Sequence, residues 1–81
     1  MWRVNNTNQT TFEFAIKETT SVSISVYDTH GEKLENIISN KMYNQGSYAI
    51  TFNASALASG TYICTLTTKD DKKSVKIIKS N

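Results

Sequence analysis

Proline is absent from this 81-residue chain, cysteine and histidine occur once each, and glycine occurs only three times. Without proline no turn has its φ preset and no edge strand is blocked by a missing N–H. Turns must therefore rely on Gly, Asn and Asp, and edge protection on lysines and short strands. The single cysteine, Cys64, cannot form an internal disulfide, and its place between Tyr62 and Leu66 reads as a buried apolar thiol rather than a nucleophile or ligand. The only histidine, His30, sits in the polar stretch Asp28-Thr29-His30-Gly31, a surface turn with no pocket behind it for a general base. Glycines at positions 31, 46 and 60 are too scattered to cradle a phosphate.

Long apolar runs are missing too. Nothing approaches the roughly 20 residues of a membrane-spanning helix, so no membrane insertion is expected. The start Met1-Trp2-Arg3-Val4-Asn5-Asn6 has no apolar signal-peptide core. The chain is then either cytosolic or an excised piece of a longer protein whose targeting lies elsewhere. A net charge of +2 is too mild for a nucleic-acid binder. Metal ligation needs three or four converging donors, and Asp70-Asp71, flanked by lysines, reads as a solvated hairpin tip. No cofactor is called for. Asn-x-Ser/Thr tripeptides starting at Asn5, Asn8 and Asn53 are what a chain this rich in Asn, Ser and Thr produces by chance, and no role is assigned to them.

What the chain does have is eight aromatics and a repeated period of two. Its organising stretch is Asn53 to Leu66. Asn53 is placed to cap a single helical turn, Leu57 to plug one end of a core, and Gly60 to reverse the chain. From there Tyr62, Cys64 and Leu66 alternate with Thr61, Ile63, Thr65 and Thr67 in a strand expected to be central.

Residues 1–9 read as a linker or irregular lead, with Trp2 either a remnant of a preceding domain or a lid over the core. Residues 10–81 read as one domain. Thr10 to Ile16 turns Phe12, Phe14 and Ile16 to one side, and Ser21 to Tyr27 places Val22, Ile24 and Val26 inward. Asp28 and Gly31 define a β-turn. Glu32 to Ser39 is a strand whose adjacent Ile37 and Ile38 signal a bulge or strand end. Asn40 to Gly46 reads as a loop, Ser47 to Asn53 as a strand with Tyr48, Ile50 and Phe52 inward, and Thr68 to Asp71 as a tight hairpin. Lys72 to Lys79 closes the domain with Val75 and Ile77 on one face and Ile78 on the other. Six strands and a possible seventh, about ten residues apart, predict an all-β, Ig-like antiparallel β-sandwich of about seven strands.

Five of nine basic residues (Lys69, Lys72, Lys73, Lys76, Lys79) fall in the last thirteen positions. They read either as solubilising charge on an edge strand or as a recognition strip.

Taken in order, Thr-Phe-Glu-Phe, Val22 to Tyr27-Asp28 with Gly31 three residues on, the Gly46 loop, Phe52-Asn53, Leu57-Ala58-Ser59-Gly60-Thr61-Tyr62 and Val75-Lys76-Ile77-Ile78-Lys79 resemble the type A C-terminal sorting domain of the Bacteroidetes type IX secretion system, over about residues 5 to 80. The Asn-Pro lead common in that family is replaced here by Asn5-Asn6-Thr7-Asn8. The resemblance implies a non-enzymatic signal at the C-terminus of a secreted protein. Its partners would be the outer-membrane translocon, a sortase-like peptidase and an N-terminal cargo domain, with no nucleic acid. The cargo would pass through the periplasm and end secreted or attached at the cell surface after cleavage. Gly60 and Tyr62 match the family's Gly-x-Tyr, and Lys72, Lys76 and Lys79 match its terminal basic residues; all five would serve translocon or sortase recognition. Asp28, Gly31, Gly46 and Asn53 would define turns.

A monomer is expected, with β-augmentation at the terminal strand as the mode of recognition. The chain's ending just after Lys79 favours an export signal over an internal module. The competing reading is a carbohydrate-binding or spacer module of a secreted polysaccharide-degrading enzyme, which would need coplanar exposed aromatics, with Tyr27 and Tyr43 the candidates. A structural Ig-like domain such as those of flagellar hook assembly proteins shares the fold.

Overall fold

Phe12, Phe14 and Ile16 alternate with Thr11, Glu13 and Ala15. In the computed structural model, which describes residues 2–6, 9–53 and 57–79, that pattern is a strand with its apolar side fully covered. The described residues form seven strands and no helix: β1 (Trp2–Asn6), β2 (Thr10–Ile16), β3 (Thr20–Tyr27), β4 (Lys33–Tyr43), β5 (Gly46–Phe52), β6 (Gly60–Thr68) and β7 (Lys72–Lys79). They pair antiparallel in two sheets, β1-β2-β5 and β4-β3-β6-β7. The architecture is the expected β-sandwich. Relative to a constant-type immunoglobulin domain, the fourth strand has left the fifth and joined the third.

The core lies where the interior strands face each other. Phe12, Phe14 and Ile16 of β2 meet Val22, Ile24 and Val26 of β3 and Tyr62, Cys64 and Leu66 of β6, with Ile38 and Tyr43 from β4. Strands β1, β5 and β7, at sheet edges, give only partly buried residues, among them Val4, Ile50, Val75 and Ile77, whereas β4, also at an edge, contributes buried Ile38 and Tyr43. Phe14 sits 5.5 Å from both Tyr43 and Tyr48, edge-on to the first and stacked on the second. One aromatic cluster thereby joins the two sheets.

Two expectations are corrected. The N-terminal lead is not irregular, since residues 2–6 form β1, in register with β2 from Trp2↔Phe14 to Asn6↔Thr10. Asn5 and Asn6 hide the strand in the sequence, and pairing with β2 makes it. Trp2 packs on the core, its ring parallel to Phe12 at 5.9 Å. The loop expected over Asn40 to Gly46 is also much shorter, because β4 continues to Tyr43.

Asn40 makes that continuation possible. It adopts φ +51, tolerable for Asn, and donates its N–H to Ser23 Oγ at 2.9 Å, after which Lys41 to Tyr43 pair again with β3. The register also slips between Ile24 and Ser25, where Ile37 is the extra residue. This is the bulge that the adjacent isoleucines announced. The helical turn expected after Asn53 lies outside the described residues. Asn53 itself is exposed, and Leu57 packs against the core as expected.

Cys64 is fully buried, and burial pushes its thiol from an ordinary value of 9.0 to about 11. An acid whose pKa rises on folding contributes stability that is complete below the unfolded value and lost as pH climbs through the folded one. Urea midpoints are therefore expected to fall between pH 9 and 11 more steeply for the wild type than for Cys64→Ala, and equal slopes would contradict this.

Candidate recognition surface

The β6–β7 hairpin is built by period-two alternation on both sides of a tight turn, where Thr68 donates its N–H to Asp71 O at 2.8 Å. Register then decides which residues share a face. Gly60↔Lys79, Tyr62↔Ile77, Cys64↔Val75 and Leu66↔Lys73 lie on the inner side, and Thr61↔Ile78, Ile63↔Lys76, Thr65↔Ser74 and Thr67↔Lys72 on the outer. The candidate lysines are therefore split. Lys72 and Lys76 are exposed on the outer face, and neither forms a salt bridge among the described residues. Lys79 is half-buried on the inner side and donates from Nζ to Leu57 O. β7 has one ladder partner, β6, and stands at the edge of its sheet.

Gly60, Tyr62 and Lys79 form one structural unit. Tyr62 is 7% exposed and donates its hydroxyl to Ala58 O, four residues upstream, the tyrosine corner of Ig-like sandwiches. Leu57 and Ala58 are thus tied by consecutive carbonyls to Lys79 and Tyr62, which holds the crossing segment over the end of the core. Gly60 begins β6 at φ +157, and a Cβ there would meet open space. Any cost of substituting it lies in the backbone.

Asp28 and Gly31 close the β3–β4 connection at the same end of this sheet. Gly31 N–H donates to Asp28 O at 3.1 Å, and Asp28 Oδ1 accepts from His30 and Glu32 N–H, both at 2.9 Å. Gly31 has φ +87, so Gly31→Ala is expected to destabilise the domain by about 1–2 kcal/mol. Thermal unfolding checks this, and an unchanged midpoint would contradict it. Gly46 stands apart, at the opposite end, opening β5 beside Tyr48.

The aromatics considered for sugar stacking do not form a platform. Tyr43 is 8% exposed within the cluster of Phe14 and Tyr48. Tyr27 is half-buried, with Lys33 Nζ 6.0 Å from its ring centroid. Among the described residues no group of three or more His, Cys, Asp or Glu side chains could hold a metal ion, and no helix is long and apolar enough to cross a membrane.

The residues sequence reasoning passed over are Lys33, Ile63 and Ile78, which share the outer face with Lys76 and Tyr27. Their signal was Ile63, an isoleucine among Thr61, Thr65 and Thr67 on the face opposite Tyr62, Cys64 and Leu66.

A family model described as secretion system C-terminal sorting domain matches residues 5–80. The chain belongs to this family. No curated protein and no solved structure matches it. The sorting domain is thus a type IX secretion C-terminal sorting signal, carried by a cargo and implying export to the outer membrane or cell surface. The family is one of signals rather than catalysts. Within the sorting domain the match takes in β2 to β7 and the last two residues of β1, so Trp2 and Val4 cover the core from just outside it.

Proposed function

We propose that this sandwich is a non-enzymatic secretion signal that directs an N-terminal cargo domain from the periplasm through the type IX outer-membrane translocon. A sortase-like peptidase then removes it as the cargo is attached to the cell surface. The family match over residues 5–80 carries this reading. The edge position of β7 supports it, because strand addition takes place at the edge of a sheet, and Lys72 and Lys76 present charge on the exposed side of that strand.

In this reading Lys72 and Lys76 meet the partner directly, while Gly60, Tyr62 and Lys79 act by holding the crossing segment that shapes the end of β6 and β7. Residues 10–81 are the signal proper, and β1 completes its three-stranded sheet.

The test is peptide mapping of a periplasm-directed fluorescent protein carrying residues 1–81 at its C-terminus. In a type IX-competent host the surface-borne reporter is expected to lack peptides from β6 and β7, while periplasmic reporter in a deficient host retains them. Surface reporter that still carries the Lys72 to Lys79 peptide would overturn the cleavage step.

A further inference from the structure

The outer face of the four-stranded sheet is not uniformly wet. Across its middle runs a row that satisfies itself. Ser25 Oγ donates to Asn36 Oδ1 at 3.3 Å, the Thr65 and Ser74 hydroxyls bond at 3.0 Å, and Ser25 and Thr65 are only 6% and 5% exposed. The next row, toward the Asp28 turn, reads Lys33, Tyr27, Ile63, Lys76 across β4, β3, β6 and β7 as direct register partners. Beside it Ile78, opposite Thr61, is 70% exposed, more than the other exposed large hydrophobics Met42 and Leu34.

The result is an apolar centre with an ammonium group at each end. Adjacent strands lie about 4.8 Å apart, so the two lysines anchor a row of roughly 14 Å. Among the described residues no side-chain carboxylate shares the face. The acidic residues lie in turns, on the other sheet or, for Glu35 opposite Val26, on the inner side of β4. Asp28, the nearest in sequence to Tyr27, has Oδ1 engaged by two backbone amides.

We propose that this patch, Lys33, Tyr27, Ile63, Lys76 and Ile78, is the docking surface for a protein of the secretion machinery whose own surface sets carboxylates around an apolar centre. The inference rests on the sorting function proposed above and names the chemistry of its partner. Charge complementarity selects the rim, since two cations with no carboxylate among their register partners favour an acidic partner and disfavour a basic one. The apolar side chains select a protein, since Tyr27 and Ile63 lie between the lysines and exposed Ile78 adjoins Lys76, and a uniformly anionic polymer gains nothing from covering them. Edge pairing along β7 and docking on this face are compatible, since the first uses backbone groups in the plane of the sheet and the second uses side chains perpendicular to it.

The test measures extracellular fluorescence of the reporter bearing residues 1–81 in competent and deficient hosts, for three variants. Lys33→Glu/Lys76→Glu is expected to cut type IX-dependent export at least tenfold, with a melting temperature within about 3 °C of the wild type because both positions are exposed. Lys17→Glu/Lys41→Glu, the same charge change away from the patch, is expected to export normally. Ile78→Ser is expected to lower export several-fold with both lysines intact. If Lys33→Glu/Lys76→Glu exports like the wild type, or falls no further than Lys17→Glu/Lys41→Glu, the docking surface is overturned and the sorting function stands. If the wild type itself is not exported in the competent host, both fall. Co-sedimentation of the purified domain with vesicles of anionic phospholipid, lost in Lys33→Glu/Lys76→Glu, would overturn a protein partner in favour of a membrane surface.

Discussion

Replacing Phe14 by alanine is expected to destabilise the domain by about 3–5 kcal/mol, the range for deleting a fully buried phenylalanine. Phe14 is 0% exposed, and its ring bridges Tyr43 of one sheet and Tyr48 of the other at 5.5 Å each. The substitution therefore removes buried apolar area and also parts the aromatic contact that joins the sheets. Stabilities of about 0.05–0.15 kcal/mol per residue leave a chain of 81 residues little reserve. Urea denaturation followed by near-ultraviolet circular dichroism checks this, and a loss below about 1 kcal/mol would show that the cluster repacks. If the folded sandwich is what the export machinery recognises, type IX-dependent export should disappear together with the fold.

Tyr62→Ala is expected to cost a similar amount, about 3–5 kcal/mol, since it empties a buried aromatic site and frees Ala58 O from the tyrosine corner. Tyr62→Phe separates the two contributions. It keeps the ring and deletes the hydroxyl, and for the loss of this one part-buried hydrogen bond about 0.5–1.5 kcal/mol is expected. The pair also distinguishes structure from recognition. With the hydroxyl turned toward Ala58, export of the Tyr62→Phe reporter should follow its folded fraction. Export lost at unchanged stability would mean that the hydroxyl meets the translocon directly.

Much of this was legible in the chain itself, and the parts that were not have physical reasons. Strands β2, β3, β6 and β7 announce themselves by strict alternation, as at Val22, Ile24 and Val26, and the turn at Asp28 to Gly31 by residues whose side chains and backbone freedom make it. The bulge at Ile37 follows from a broken period. Strand β1 was hidden because Asn5 and Asn6 have low strand propensity and are held by a neighbouring strand. The length of β4 was hidden because Asn40, a turn residue by composition, serves as a bulge within a strand. The lysines illustrate the limit for the site. Counting by twos already places Lys72 and Lys76 together and Lys79 apart. That Lys33 completes a row with Lys76 depends on strand order, which period alone does not encode. The burial of Ser25 and Thr65 on the outer face likewise depends on Asn36 and Ser74 arriving from neighbouring strands.

The central claim is that these 81 residues suffice as a type IX sorting signal, and the most direct test is where a reporter carrying them ends up. A periplasm-directed fluorescent protein with residues 1–81 at its C-terminus is expected on the surface or in the medium of a host with a working type IX system, and in the periplasm of the same host without it. Equal periplasmic retention in both hosts would contradict the account.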